Sequence, residues 1–222
     1  MLSISQGTGF KAPTFNDLYW PGSGNPALKP ENVESKEILL RNSFSNGSVE
    51  ISVYDADIDN LINWAPDAEG NWSPANIDKA SAKGVDLTVA LQSGDFSHLL
   101  AAGYVKTEDE STGNELLRRP KVKATYTLGY QIEALTTSIT LDYRGKSEDN
   151  KYVPITLDAA LLTNVSVNYQ FSDKFSVIAK LNNLFDKDYD VAEHYYTDGV
   201  NYQWLQLTLF SLLTDLFALF TL

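Results

Sequence analysis

Residues 175–189 read Phe175-Ser176-Val177-Ile178-Ala179-Lys180-Leu181-Asn182-Asn183-Leu184-Phe185-Asp186-Lys187-Asp188-Tyr189. Phe175, Val177, Ala179 and Leu181 fall at every second position, with Ser176 and Lys180 between them and Ile178 as an exception. Period two marks an extended strand with one apolar face. The strand then runs into Asn182-Asn183-Leu184-Phe185-Asp186, where Asn and Asp favour a turn.

The same period recurs upstream. Val49, Ile51 and Val53 alternate with Glu50, Ser52 and Tyr54, and Val85, Leu87, Val89 and Leu91 with Gly84, Asp86, Thr88 and Ala90. Val122, Ala124, Tyr126, Leu128 and Tyr130, then Ile139, Leu141 and Tyr143, then Val165, Val167, Tyr169 and Phe171 continue it. The pattern predicts an all-β chain of about ten strands, the tail supplying the last. Phe15–Tyr19 is the one short helix candidate.

Two features favour an antiparallel transmembrane β-barrel over a soluble sandwich. Aromatic residues gather at strand ends (Tyr126, Tyr130, Tyr143, Tyr169, Phe171, Phe185 and Tyr189), as the two membrane interfaces require. Connection lengths also alternate. Ser45-Asn46-Gly47, Ser93-Gly94-Asp95, Glu133-Ala134 and Ser172-Asp173-Lys174 are tight, whereas residues 11–33, 63–76, 106–120, 144–155 and 186–201 read as long loops. Short periplasmic turns and long extracellular loops are the outer-membrane arrangement. On this reading Val85, Leu87, Val89 and Leu91 face lipid, and Asp86 and Thr88 face the lumen.

The bulk composition excludes several classes. With 29 Asp and Glu against 17 Lys and Arg, the net charge of -12 leaves no basic surface for nucleic acid. There are no cysteines and two histidines, His98 and His194, so no metal site or cofactor is expected. Ser97-His98 has no organised acid partner, and the loop holding His194 has carboxylates but no nucleophile, so no enzyme is expected. Gly7-Thr8-Gly9 lies in a strand and is no phosphate loop. Met1-Leu2-Ser3-Ile4 carries no signal peptide, and the chain reads as a piece of a longer exported precursor.

Several segments carry a family resemblance. Gly7-Thr8-Gly9-Phe10-Lys11-Ala12-Pro13-Thr14 with Leu18-Tyr19, then Gly24-Asn25-Pro26-Ala27-Leu28-Lys29-Pro30-Glu31, then Asn182-Asn183-Leu184-Phe185-Asp186 resemble, in order, motifs of the TonB-dependent outer-membrane receptors. Asp57-Ile58-Asp59-Asn60-Leu61-Ile62, Asn76-Ile77-Asp78-Lys79-Ala80 with Lys83-Gly84-Val85-Asp86, and Leu116-Leu117-Arg118-Arg119-Pro120 are similar to the cobalamin-transporting group. The resemblance covers residues 3–203. It implies the C-terminal half, about ten strands, of a 22-stranded barrel filled by a separate N-terminal plug. It further implies residence in the bacterial outer membrane, contact with its lipid, and active import of cobalamin or another large ligand captured at the outer face. The energy-coupling TonB complex would act only through the plug, which corresponds to no part of this chain. A siderophore receptor, or a small passive pore or adhesin barrel, are the alternatives.

Residues 1–203 are thus expected as barrel and 204–222 as a divergent apolar tail, a last strand followed by a helical or frameshifted extension. The ligand is expected on aromatic residues of the long loops: Trp20, Trp64, Trp72, Tyr195 and Tyr196, with Asn25 beside them. Trp64 and Trp72 read as flanking a mobile tip. Lys11, Ala12, Pro13, Asn25, Pro26, Lys83, Gly84, Asn183, Leu184, Phe185 and Asp186 are expected to hold the frame. Lys83 or Gly84 could instead approach the plug. Arg118-Arg119 could meet lipid phosphates or pair with the acidic loop beside it.

Overall fold

A computed structural model describes residues 1–67, 69–150 and 155–208. Its elements are β1 (Leu2–Lys11), α1 (Phe15–Tyr19), β2 (Glu31–Phe44), β3 (Gly47–Pro66), β4 (Trp72–Ser93), β5 (Phe96–Asp109), β6 (Val122–Ile132), β7 (Leu135–Arg144), β8 (Ser147–Asn150), β9 (Ile155–Leu157), β10 (Ala160–Ser172), β11 (Phe175–Asn182) and β12 (Asn201–Thr208). Ten strands form one antiparallel sheet in the order β1-β2-β3-β4-β5-β6-β7-β10-β11-β12, and β8 and β9 form a separate ribbon. Each strand of the sheet pairs with its neighbour in sequence, the meander of an up-and-down barrel wall.

The register joins the apolar stripes into a band. Leu2, Leu40, Ile51, Leu87, Ala102, Ala124, Tyr143 and Leu161 are consecutive partners across eight strands. On the opposite face Ser52, Asp86, Gly103, Lys123 and Arg144 are consecutive partners. There Asp142 accepts from Thr125 Oγ1 and from Asn164 Nδ2, each at 2.8 Å. One face is hydrogen-bonded and polar, whereas Ile38, Leu40, Val53 and Leu161 on the other are each more than half exposed. So much apolar surface, unbroken across the strands, suits hydrocarbon rather than water. Val85, Leu87, Val89 and Leu91 lie on this outward face, Asp86 and Thr88 on the inner one, as the alternation predicts.

The tight turns fall at one end of the sheet. Ring pairs mark that end: Phe96–Tyr130 at 4.8 Å, Tyr169–Phe171 at 4.7 Å and Phe171–Phe175 at 5.1 Å between centroids. This is an aromatic girdle at an interface. Phe185 and Tyr189 instead sit in the long connection after β11.

Three expectations need correction. Residues 63–76 are not a loop, because β3 and β4 stay paired out to Pro66 opposite Trp72. Alternation carries on beyond the apolar band, with Asn and Asp replacing aliphatics, so the strands outrun the hydropathy signal. Asp67 closes this hairpin by accepting from the Glu69 and Asn71 backbone N–H groups. Residues 106–109 likewise belong to β5. The fourth connection holds the ribbon β8–β9, whose strands of 4 and 3 residues are too short to show a period. The tail is described only through Thr208, as strand β12, and its remainder, 209–222, lies outside the described residues.

Among the described residues β1 pairs only with β2 and β12 only with β11, so the sheet does not close on itself. An open edge leaves backbone N–H and C=O groups facing hydrocarbon, at several kcal/mol each.

Candidate functional site

Four long connections and the outer ends of β3 and β4 meet at the loop end of the sheet. They line a basin of about 670 Å³ with Thr14, Asp17, Trp20, Trp64, Trp72, Arg118, Asp149, Glu193, His194 and Tyr195 among its walls. Trp20, Trp64, Trp72 and Tyr195 are thus brought together. Asn25 and Tyr196 do not line it. Tyr196 is almost fully exposed and borders a separate hollow with Asp158, Asp188 and Asp190.

The first wall is built by a strand stop and a helix start. Lys11 ends β1 with an ion pair to Glu31 at 3.1 Å, and Pro13 cannot extend the ladder. Thr14 then caps α1: its hydroxyl accepts from the Asp17 N–H at 3.2 Å, and Asp17 Oδ2 accepts from the Thr14 N–H at 2.8 Å. This reciprocal box satisfies two otherwise orphaned donors. The same carboxylate takes the Trp64 indole N–H on Oδ1 at 2.8 Å. Asp17 thus aims Trp64 across from the first connection. Burial works against the Asp17 charge, but the hydrogen bonds from Trp64 and Thr14 and the nearby Lys11 charge bring its pKa below the ordinary value.

Trp64 and Trp72 share the inner parity of β3 and β4 and are not carried on a mobile tip. Both indoles are placed by paired backbone. Arg118 lies over the Trp72 ring, its guanidinium carbon 4.3 Å from the centroid, a cation–π contact. Arg118 also forms an ion pair with Asp149 and donates from Nη2 to Asp149 Oδ2 at 3.4 Å. Asp149 is fully buried and accepts the Glu193 N–H at 3.2 Å. One carboxylate therefore ties the third, fourth and fifth connections together. Arg118 thus pairs with a carboxylate, but one from the fourth connection and not from the acidic loop beside it.

The frame motifs have local work. Asn25 Nδ2 donates to the Pro74 carbonyl at 3.2 Å, and Asn76 Oδ1 accepts the Lys29 N–H at 2.9 Å, pinning the Asn25-Pro26 segment to β4. Gly84 is required by close approach: a Cβ there would collide with the Tyr54 ring. Lys83 pairs with Asp55 at 3.1 Å. Asn183 is buried with φ 50. Its side chain accepts from the Lys187 N–H at 2.9 Å and donates to the Lys187 carbonyl at 3.0 Å. The Leu184 N–H reaches the Thr163 carbonyl at 2.8 Å. Asp186 Oδ1 accepts from the Val200 N–H at 2.8 Å, and Phe185 stays exposed. Asn183→Ala is expected to destabilise the chain by roughly 2 kcal/mol, from lost bonds and a left-handed backbone without Asn. Urea titration of the folded protein in lipid vesicles would check this, and a change below about 0.5 kcal/mol would contradict it.

Sequence reading did not assign Asp17, Asp149, Glu193 or His194 to the site. The Thr14…Asp17 box was a usable signal for the first. The others depend on contacts between distant connections. Among the described residues no group of three or more His, Asp or Glu is arranged to hold a metal ion.

Comparison with known proteins agrees with this architecture. Residues 1–184 match the family model described as TonB dependent receptor-like, beta-barrel. The vitamin B12 transporter BtuB of Photobacterium profundum is 39% identical over 198 residues, covering 87% of this chain and 33% of that protein. The vitamin B12 transporter BtuB of Vibrio vulnificus is 36% identical over 204 residues, covering 89% and 33%. The chain therefore spans about a third of the length of these relatives. Among solved structures, the copper transporter OprC superposes with TM-score 0.77 at 16% identity, over 94% of this chain and 37% of that one. The siderophore receptor PirA from Acinetobacter baumannii superposes with TM-score 0.74 at 19% identity, over 94% and 39%. An open ten-stranded meander with an outward apolar band, long connections converging at one end and a family match over most of its length place this chain in the TonB-dependent receptor β-barrel family of the bacterial outer membrane.

Proposed function

We propose that the chain supplies wall and ligand-capturing loops of an outer-membrane importer for cobalamin. Cobalamin is bound at the outer face and moved inward by TonB-coupled energy acting through a plug outside these residues. The observation that carries the reading is the basin itself. Three indoles and Tyr195 offer broad apolar faces with polar edges, suited to a flat macrocycle. Asp17, Asp149 and Glu193 outnumber Arg118 as formal charges around it. Asp17 and Asp149 are already bonded to Trp64, Thr14 and Arg118, so Glu193 is left to accept ligand amide hydrogen bonds, and the excess of carboxylates disfavours an anionic ferric chelate. The names of the sequence relatives point the same way.

The test uses a full-length relative carrying this segment in place of its own. Trp64→Ala with Trp72→Ala is expected to weaken cobalamin binding at least tenfold in an equilibrium titration. Asn46→Ala in a tight turn is expected to leave affinity unchanged. Equal affinity in the tryptophan double variant and its parent would overturn the assignment of the basin.

The lowered pKa of Asp17 has a consequence for pH. A depressed folded pKa contributes stability that is present above the unfolded value and lost as pH falls through the folded one. The Trp64 anchor should therefore persist down to about pH 4 and loosen below it. Trp64 fluorescence followed against pH is expected to change only in that acid range. In Asp17→Asn the transition should vanish, and a midpoint near neutrality would contradict the assignment.

A further inference from the structure

The outward face changes character within one row of residues. Ile4, Ile38, Val53, Val85 and Tyr104 are consecutive register partners across β1–β5. Two residues further toward the loops, on the same face, the consecutive partners are Gln6, Lys36, Asp55, Lys83 and Lys106. Same-face rows lie about 7 Å apart along a strand. Together the two rows border a groove of about 760 Å³ on the outside of the wall. The apolar row belongs to the hydrocarbon band, so the ionic row stands where lipid headgroups begin.

The three lysines are incompletely used. Lys83 donates to Asp55 at 3.1 Å, Lys106 to Glu108 at 2.8 Å, and Lys36 lies 3.7 Å from Glu34. Each ammonium has three donors and each side chain is about 60% exposed, so donors remain for another acceptor. Lys83 and Lys106 are direct cross-strand partners. Like charges in that arrangement repel, and an anion between them relieves the repulsion. The ionic row is net positive in a chain of net charge -12. The carboxylates of Glu34, Asp57 and Glu108 lie in the next row outward, beyond the lysines.

We propose that this groove is a binding site for a phosphate-bearing membrane lipid, its acyl chains on Ile38, Val53 and Val85 and its headgroup phosphate between Lys83 and Lys106. The partner is fixed by charge complementarity and by the order of the rows. A phosphate is held where the hydrocarbon ends, and a free anion would have no use for the apolar row. Gln6 and the Tyr104 hydroxyl add neutral hydrogen-bonding groups at the groove edge. The site lies on the outer wall and is independent of the ligand basin, so its test does not depend on which ligand the basin takes.

The experiment titrates the full-length receptor carrying this segment, in a zwitterionic detergent, with phosphatidic acid and with phosphatidylcholine of the same chains. Bound lipid is counted by native mass spectrometry. The parent is expected to prefer phosphatidic acid at least tenfold, and Lys83→Gln with Lys106→Gln to abolish the preference. Lys29→Gln with Lys146→Gln, which removes the same charge from the loops, is expected to retain it. Inorganic phosphate at millimolar concentration should not displace the lipid. An unchanged preference in the Lys83/Lys106 variant overturns the proposal. So does equal loss in the loop-lysine variant, which would mean net charge alone, or displacement by phosphate, which would mean a plain anion site. An unaltered β-sheet circular dichroism spectrum and unaltered urea unfolding midpoint of the variant show that it has folded.

Discussion

Replacing Arg118 with alanine is expected to cost about 3 kcal/mol of folding stability, with much of the outer loop structure lost. The reason is Asp149, whose side chain is fully buried and whose charge partner is Arg118. Removing the guanidinium leaves a buried carboxylate with the Glu193 N–H as its remaining described donor. Breaking a buried pair from one side costs about 3–5 kcal/mol. The low end applies because the Arg118 side chain is 34% exposed and water can replace part of it. Arg118→Lys should recover only a fraction, since lysine lacks the planar fork and stacks poorly on Trp72. The double variant Arg118→Ala with Asp149→Ala should be more stable than Arg118→Ala alone. Urea-dependent unfolding from lipid vesicles measures each step, and additive losses in the double variant would show that the two residues do not act as a pair.

Leu87→Arg should cost roughly 2–4 kcal/mol of folding into lipid, and Thr88→Arg far less. Leu87 lies in the row that runs from Leu2 to Leu161 without a polar interruption. A guanidinium there must leave water or bend toward an interface. Thr88 lies on the inner face, opposite Glu50 and Ala101, where polar groups are already hydrated or paired. The comparison holds strand, depth and charge nearly constant and varies only the face. Greater damage at position 88 would invert the assignment of lipid and lumen.

Much of the wall was legible because a barrel strand writes its two faces into adjacent residues. Val85 through Leu91 could be assigned to lipid from alternation alone, and Asn46-Gly47 and Gly94 marked tight turns through their own chemistry. The motif around Asn183 was readable as the end of a strand for the same reason: the Asn183 side chain closes the turn on the Lys187 backbone, four residues on. Where the apolar face gives way to a hydrated one, the signal fades. Residues 63–66 and 72–76 remain paired strand, yet they carry Asn, Ser, Pro and Trp and read as loop. The error mattered for the site, since it turned two rigidly placed indoles into a mobile tip. The Arg118–Asp149 pair was less accessible still. It joins residues 31 apart through connections whose paths no local pattern fixes. The lipid groove could not be seen in any single strand, because its rows exist only once the register aligns Lys36, Lys83 and Lys106.

The central claim is that the outer basin takes cobalamin, and direct titration tests it. The full-length receptor carrying this segment is titrated with cobalamin and, separately, with a ferric catecholate chelate, following tryptophan fluorescence. Saturable quenching by cobalamin that Trp64→Ala with Trp72→Ala removes, with no saturable response to the anionic chelate, is the expected result. Saturable binding of the ferric chelate with no response to cobalamin would contradict it.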